Sequence, residues 1–444
     1  MHGNSVRDRT DSFCARQTAA LQSYDFCIIG SGVLGSSLAS SLARSGRSVL
    51  LIERDLSEPD RIVGELLQPG GCMALKKLGM QDALEGIDSI RVEGYKVFWG
   101  EDQVDLPYPE ETTDMNWTEE GGLSKKAVGE KVQEGRSFHH GRFVMNLRSR
   151  AQKTAGVTLI EATVNELLED ENQVITGVSA TPRRVNDTDA ISPLIFTAAM
   201  TLVTDGCFSK FRKSFLPDHI STIVRSNFVS LELVDPVLPA PNHGHVILRK
   251  PTLPPLDGTI DTEKGVGPVL VYQLATHETR MLIDVPGIKL PSIGNGDLKR
   301  YLEKHVKPIL PSSIVPSFEV ALESTKLRSM PNSYLQATPQ GRKRVGAILA
   351  GDSMNMRHPL TGGGMTVALN DCVILTELLG GGKTVGTVGG DKRGVVGLRD
   401  WEAVRERMEE WHWRRKGIAT CINTLAQALY SLFGADGTSF VSRS

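Results

Sequence analysis

The chain has 444 residues, 40% hydrophobic and 23% charged, which is long enough for two or three folded units with ample core. Its 50 basic and 52 acidic residues leave a net charge of −2 with no basic stripe, so nucleic acid is not expected as a partner. Six cysteines (Cys14, Cys27, Cys72, Cys207, Cys372 and Cys421) lie far apart with no Cys-x-x-Cys pair; this argues against a disulfide framework or a zinc site and fits a reducing compartment.

Residues 1–22 are polar and charged, and read as a disordered tail rather than a signal peptide or membrane span. No window reaches the roughly 18 apolar residues that a transmembrane helix requires. Residues 24–30 (YDFCIIG) form a short apolar run ending in glycine, the pattern of a buried parallel strand. Residues 33–45 have helix composition and 47–53 (RSVLLIE) form a second strand, completing a βαβ unit. Residues 112–137 are charged and glycine-rich and predict a surface excursion; residues 181–192 predict another polar loop. The sequon-like Asn116-Trp-Thr and Asn186-Asp-Thr are read as loop composition. A buried strand is expected at 195–204, and runs at 227–233, 245–248, 269–274 and 279–285 predict a mostly antiparallel sheet. A strand at 345–350 leads to a helix at 364–379. Residues 380–397 hold eight glycines and predict a flexible linker, after which 398–433 is helical in character.

The first chemical motif is Gly30-Ser-Gly32-Val-Leu-Gly35, a GxGxxG between strand and helix. Gly30 makes the tight turn, Gly32 admits a pyrophosphate close to the backbone, and Gly35 lets the helix pack on the strand. The helix N-terminus offers free N–H groups to the phosphates. Glu53 ends the next strand, where a carboxylate accepts ribose hydroxyls and would repel a 2′-phosphate. Alone, this cradle fits NAD or FAD. Two later motifs favour a flavin: Asp205-Gly206 and Gly351-Asp352 each end a strand, where an Asp can hold ribose or ribityl hydroxyls. Arg357-His-Pro-Leu-Thr-Gly-Gly363-Gly364-Met365 then enters a helix, and N–H groups at that start would stabilise negative charge on a reduced ring. His139 and His140 stand together on a predicted strand, where they would face opposite ways, so a shared metal is not expected.

GxGxxG, Asp-Gly and Gly-Asp in that order resemble the aromatic-hydroxylase group of FAD monooxygenases. Five longer blocks resemble the squalene epoxidase family: residues 52–65, Leu67-Gln-Pro-Gly-Gly71, residues 138–148, Asp205-Gly-Cys-Phe-Ser-Lys-Phe-Arg212 and residues 351–365. The resemblance runs from about residue 24 to 433. It implies an α/β (α+β) fold: a Rossmann-like FAD-binding domain of the aromatic-hydroxylase type, an inserted, mostly antiparallel β substrate domain, and a C-terminal helical segment. The expected division gives FAD-binding parts at 23–93, 146–215 and 326–380. Substrate-side parts follow at 94–145 and 216–325, the linker at 381–397, and a membrane-associating helical segment at 398–444.

The same resemblance implies site residues. Val33 and Leu34 would line the pyrophosphate turn, and Glu53 and Arg54 would hold the adenosine half of FAD. Arg61 and Arg148 would contact the cofactor, Val164 would lie near the adenine, and Leu66 would act through its backbone. Asp352 and Met365 would complete the flavin site. Tyr95, in Gly94-Tyr-Lys-Val-Phe98, would help position the flavin and shape the substrate pocket. The implied reaction is FAD- and O2-dependent epoxidation of squalene to (S)-2,3-epoxysqualene through a flavin C4a-hydroperoxide, in sterol or triterpenoid synthesis. The isolated alkene requires no general base, and no convincing triad is present. No second GxGxxG exists for NADPH, and the family implies NADPH–cytochrome P450 reductase as electron donor.

Trp411-His-Trp-Arg-Arg-Lys416 precedes an apolar stripe of Ile418, Ile422, Leu425, Leu429 and Leu432, which suggests a membrane-surface helix on the cytosolic face of the endoplasmic reticulum. Relatives generally continue with further hydrophobic helices. This sequence stops at Ser444 after a polar tail, so a truncated product or weaker membrane attachment is expected. Two other readings stay open: an FAD monooxygenase acting on another terpenoid, and a truncated, non-catalytic paralogue that binds FAD.

Overall fold

The structure, a computed structural model, describes residues 18–117, 123–183, 192–249, 265–324 and 326–433. Residues 1–17, the sequon at Asn186 and most of the 181–192 loop therefore lie outside the described residues. So do the side chains of Asn116, Leu429 and Leu432.

The chain opens with β1 (Ser23–Ile29), α1 (Val33–Arg44) and β2 (Val49–Glu53), followed by β3 (Leu66–Leu67), α2 (Pro69–Lys77) and β4 (Ile90–Val92). Then come β5 (Gly94–Trp99), β6 (Asp102–Pro107), β7 (Glu110–Trp117), β8 (Leu123–Val132) and β9 (Gly135–Ser137). The helix α3 (His140–Lys153) leads to β10 (Val157–Glu169), β11 (Ile175–Pro182), β12 (Leu194–Val203) and the short α4 (Arg212–Phe215). The next strands are β13 (Ile223–Val234), β14 (His243–Leu248), β15 (Val269–Gln273) and β16 (Glu278–Pro286). The chain closes with α5 (Asp297–His305), α6 (Val315–Ser324), β17 (Arg328–Tyr334), β18 (Ala347–Leu349), α7 (Gly364–Leu379) and α8 (Trp401–Phe433).

Two large sheets carry the molecule. In the first, β10, β2, β1, β12 and β18 lie side by side and parallel. The antiparallel β11 bridges the far ends of β10 and β12. The middles of the central strands, Phe26–Ile29 and Val49–Ile52, are apolar and buried because both faces are covered. Nearly all of α1 is buried, including Ser36, Ser37, Ser40 and Ser41. These small side chains let α1 sit tightly against α7 and α3, and Ser41 shares a 2.8 Å hydrogen bond with Thr376 of α7.

The second sheet runs β17-β13-β16-β15-β14-β5-β6, antiparallel except for the parallel pair β14–β5. Its side chains alternate as strand geometry demands. Val269, Val271, Met281 and Ile283 face the helices α5 and α6. Leu270, Tyr272 and Leu282 face the other way and meet Leu360 from the first half of the fold. Because β17 pairs with β13, this sheet extends past residue 325, where the sequence division had ended it.

One expectation is corrected. The glycine-rich segment 380–397 is no loose linker: Val385, Val388 and Val396 are buried, and Arg47 donates to the carbonyls of Leu379 and Val396 at 3.0 and 2.7 Å. Glycine serves here for close approach, since a Cβ on Gly381 would lie 2.8 Å from the Ser45 carbonyl oxygen. The excursion at 112–137 is built as the β7–β8 hairpin followed by β9, which pairs with β3 and β4.

Candidate cofactor and substrate cavity

A cavity of about 1070 Å3 runs from the carboxyl ends of the parallel strands to the second sheet. That lies at the upper edge of the roughly 300–1,000 Å3 usual for small-molecule sites.

The first wall is the glycine turn. Gly30 takes φ +96°, and a Cβ there would come within 2.7 Å of the Thr204 carbonyl oxygen. At Gly35 a Cβ would overlap the Gly30 carbonyl, so this residue serves helix–strand packing and does not line the cavity. Gly32 differs: a Cβ there meets nothing within 4 Å, because the residue faces open cavity. It is also the N-cap of α1, and no side chain caps that end. The first turn of α1, with Val33 and Leu34 on the cavity wall, therefore presents uncapped N–H groups.

Glu53 sits opposite, at the end of β2. Its carboxylate accepts from the Ser31 N–H at 2.7 Å and the Ser31 hydroxyl at 3.2 Å. Arg148, on α3, lies 3.5 Å from it and donates to the carbonyls of Ser31 (3.0 Å) and Ser57 (2.8 Å). Burial pushes the Arg148 guanidinium below its ordinary range, and Glu53 opposes that effect. Arg54, Arg61 and Val164 also line this end. Arg54 and Arg61 are exposed and free to reach a ligand.

The two aspartates arrive on neighbouring strands. Asp205 follows β12 and Asp352 follows β18, and both line the cavity. Asp205 accepts from the Lys210 N–H at 2.9 Å through Oδ2, while its buried Oδ1 has no partner. Desolvation pushes its carboxyl upward. Arg212, whose role sequence reasoning missed, ties the two loops together. It donates to the carbonyls of Gly206, Cys207, Asp352 and Ser353 at 2.8–3.1 Å. Its place in the Asp205–Arg212 block was the only sequence signal.

The far wall belongs to α7 and the second sheet. Gly362 takes φ +59°, Gly363 caps α7 without a side-chain bond, and Gly364 and Met365 face the cavity. Gly363 does not; it is packed under Ile422 of α8. Tyr95, on β5, lines the cavity, and its hydroxyl accepts from the Gln68 amide. The same amide donates to the Thr361 carbonyl at 2.9 Å, while Tyr108 donates to Gln68 Oε1. Burial raises the Tyr95 hydroxyl above its ordinary range, so it stays a neutral phenol. Leu66 is buried in β3, beside Gln68.

The histidine pair is corrected. Neither lies on a strand: His139 is the N-cap of α3 and His140 its first residue. His139 pairs with Glu278, and His140 lines the cavity with its Nδ1 2.9 Å from the Gly64 carbonyl. Among the described residues no group of three or more His, Cys, Asp or Glu could hold a metal.

These residues fit FAD. Two uncapped helix starts suit the pyrophosphate and the ring, and Glu53 suits a ribose. Gly32 leaves backbone open, and the unpartnered Asp205 oxygen awaits a hydroxyl donor.

A sequence profile of the squalene epoxidase family matches residues 197–441. Squalene epoxidase of Schizosaccharomyces pombe is 43% identical over 415 residues, covering 93% of this chain and 79% of that protein. Squalene epoxidase of Aspergillus fumigatus is 44% identical over 414 residues, covering 93% and 76%. Among solved structures, a probable FAD-dependent monooxygenase from Pseudomonas aeruginosa, PqsL, superposes with a TM-score of 0.65 at 15% identity, covering 94% of this chain and 98% of that one. The myxobacterial FAD-dependent chondrochloren halogenase gives a TM-score of 0.63 at 16% identity, covering 92% and 83%. The last two are likenesses of fold.

Proposed function

The chain belongs to the squalene epoxidase family, and from that premise we propose that it is an FAD-dependent squalene monooxygenase converting squalene to (S)-2,3-epoxysqualene. The observation that carries this reading is the continuity of one cavity from the glycine cradle to the apolar face of Leu270, Leu282 and Leu360. FAD, once reduced, supplies an oxygen atom from O2 to the alkene. Everything else falls to the protein.

Gly30, Gly32, Val33 and Leu34 hold the pyrophosphate, while Glu53, Arg54, Arg61, Arg148 and Val164 hold the adenosine end. Asp205 and Asp352 would accept hydroxyls of the cofactor chain, and Gly364 and Met365, on the cavity wall, would offer N–H groups to the ring, while Gly363 packs behind them. The substrate offers no charge and no acidic proton. Its binding comes from burial, worth about 25 cal/mol per Å2 before ordering costs. The sheet face excludes water, which protects the oxygen-transfer step from wasteful discharge. Tyr95, held through Gln68 to Thr361, keeps the wall next to the ring in place.

Electrons come from NADPH through a separate cytochrome P450 reductase; the GxGxxG at Gly30 has no counterpart elsewhere in the chain. The site of action is the cytosolic surface of the endoplasmic reticulum membrane. Trp413, Ile418 and Leu425 of α8 are exposed and support docking on a lipid surface. No helix among the described residues is long and apolar enough to cross a membrane.

The test is reconstitution: purified protein, FAD, NADPH, reductase, O2 and squalene in detergent, with 2,3-epoxysqualene sought by mass spectrometry. Epoxide that forms with the wild type and is lost in Asp352→Ala is the expected result. Flavin that binds and is reduced without epoxide at any squalene concentration sinks the squalene assignment.

A further inference from the structure

The C-terminal helix α8 reaches into the cofactor site through a buried polar chain. The apolar stripe read from the sequence is split: Ile422 packs over Gly363, while other stripe residues face out. Met408, Trp411, Arg415, Ala419 and Ala426 are buried, while Ile418 and Leu425 of the stripe are exposed. Arg415 lies 2.9 Å from the Asp371 carboxylate of α7, which also accepts from the Trp411 indole at 3.1 Å. Arg415 donates further to Asn355 Oδ1 at 3.0 Å, and Asn423 of α8 donates to the same oxygen at 3.2 Å. A third donor converges there: Arg357, at 2.8 Å. Arg357 also donates to the Asn355 carbonyl at 3.1 Å, and its Nη1 lies 3.5 Å from the Gly363 carbonyl. Asn355 is itself anchored, donating to the Leu335 carbonyl at 2.8 Å.

Arg357 is the unusual member. It is 7% exposed, lines the cavity, and makes no ion pair with a carboxylate among the described residues. Its Nε is buried without a partner. Asp371 sits on Arg415 and leaves Arg357 with amide and carbonyl oxygens only. The Asp352 and Asp371 carboxylates favour its charge only across space, and burial outweighs them; a buried cation with no direct counter-ion favours a negative group that arrives with a ligand. The negative charge that reduction puts on a flavin is such a group, and the glycine loop beside Arg357 is where the ring belongs on the reading given above.

We infer that Arg357 is a fixed positive charge for the reduced flavin, held in place by Asn355, and that α8 sets its position through Arg415 and Asn423. The inference rests on the flavin reading of the site. It gives the C-terminal helix a part in the redox centre itself, separate from any contact with lipid. Arg357 is a cofactor-contacting residue in this scheme; Asn355, Arg415 and Asn423 are positioning residues.

The experiment compares wild type, Arg357→Gln, Arg357→Lys and Asn423→Ala as purified holoproteins. The reduction potential of the bound flavin is measured by dye equilibration, and affinity for oxidised FAD by fluorescence quenching. Thermal unfolding of each apoprotein checks the fold. The expected result is a more negative potential in Arg357→Gln, with reduced FAD weakened relative to oxidised FAD on the order of tenfold. Arg357→Lys restores most of the potential, and Asn423→Ala shifts it the same way by less, although Asn423 is far along α8. A potential in Arg357→Gln equal to wild type, with FAD bound, overturns the inference and leaves the flavin reading intact. Should Arg357→Gln fail to fold, an unshifted potential in Asn423→Ala overturns the role of α8. A wild type that takes up no FAD overturns both.

Discussion

Glu65 and Arg280 meet as a buried two-bond ion pair, with Arg280 Nε and Nη2 each 2.9 Å from the Glu65 carboxylate. Glu65 precedes β3 and Arg280 lies on β16, so the pair joins the cofactor half of the fold to the substrate sheet. Tyr272 adds a 3.1 Å hydrogen bond to Glu65, and Arg280 donates to Ser230 at 3.0 Å. Both charged side chains are almost fully buried, Arg280 at 6% and Glu65 at 0% exposed.

Removing Arg280 leaves the Glu65 carboxyl without a counter-ion in a dry place, whereas Arg280 has a second carboxylate, Glu232, at 3.4 Å. Arg280→Met is expected to cost about 3–5 kcal/mol of folding stability. The double variant Glu65→Leu with Arg280→Met should cost clearly less than the single change, because no orphan charge remains. Denaturant unfolding of the three proteins reads this directly, and a double variant no more stable than the single one would contradict it.

The two glycines of the turn separate packing from binding. Gly35→Ala forces a methyl group into the Gly30 carbonyl and should destabilise the apoprotein by about 1–3 kcal/mol. Gly32→Ala meets nothing within 4 Å, so apoprotein stability should hold while FAD affinity falls. Thermal shift with and without FAD distinguishes the two.

Glu53 offers a graded test of the adenosine end. Glu53→Ala removes the acceptor for a ribose hydroxyl and the anion facing Arg148, which lies 3.5 Å away. A loss of about 1.5–3 kcal/mol corresponds to an FAD dissociation constant raised roughly 10- to 150-fold. Glu53→Gln should lose less. Equal affinity in Glu53→Ala by fluorescence titration would remove Glu53 from the site.

The pH dependence of stability has a predicted sign. His140, partly exposed on the cavity wall, is pushed from 6.5 down to about 4, first by desolvation and then by the charges of Arg61 and Arg148. The unfolded chain therefore takes up a proton near pH 6.5 that the folded chain refuses until about pH 4. Stability from this group is intact above the unfolded value and falls as pH drops through that window. His140→Gln should flatten the slope of melting temperature against pH between those limits. An unchanged slope would refute the assignment.

Much of this arrangement was legible in the sequence because it is local. The βαβ unit follows from apolar runs around a glycine turn, and Asp205 and Asp352 follow from strands that end in Asp-Gly or Gly-Asp. What escaped was long-range. Nothing near Arg280 in sequence announces Glu65, and nothing near Asn355 announces Arg415 and Asn423. The stripe on α8 told nothing of the polar face the helix buries, because Arg415 and Asn423 look like solvent-facing residues in the sequence. Residues 380–397 misled because glycine marks close packing as readily as freedom. The cavity wall of the second sheet was hidden for another reason: with both faces covered, polarity no longer alternates, so the sequence could not tell Leu270 and Leu282 from Val271 and Ile283.

The parallel order β1–β12–β18 sets a timetable for the growing polypeptide. Strands that touch in space are made far apart in time: the glycine turn at 30–35 leaves the ribosome first, Asp205 much later, and Asp352 only after β18. The nascent chain must therefore carry a half-built cradle, with part of the edge of β12 uncovered, from residue 203 until β18 is made. On the flavin reading, Gly364 and Met365 at the ring end join the cradle last, after the glycine turn and both aspartates.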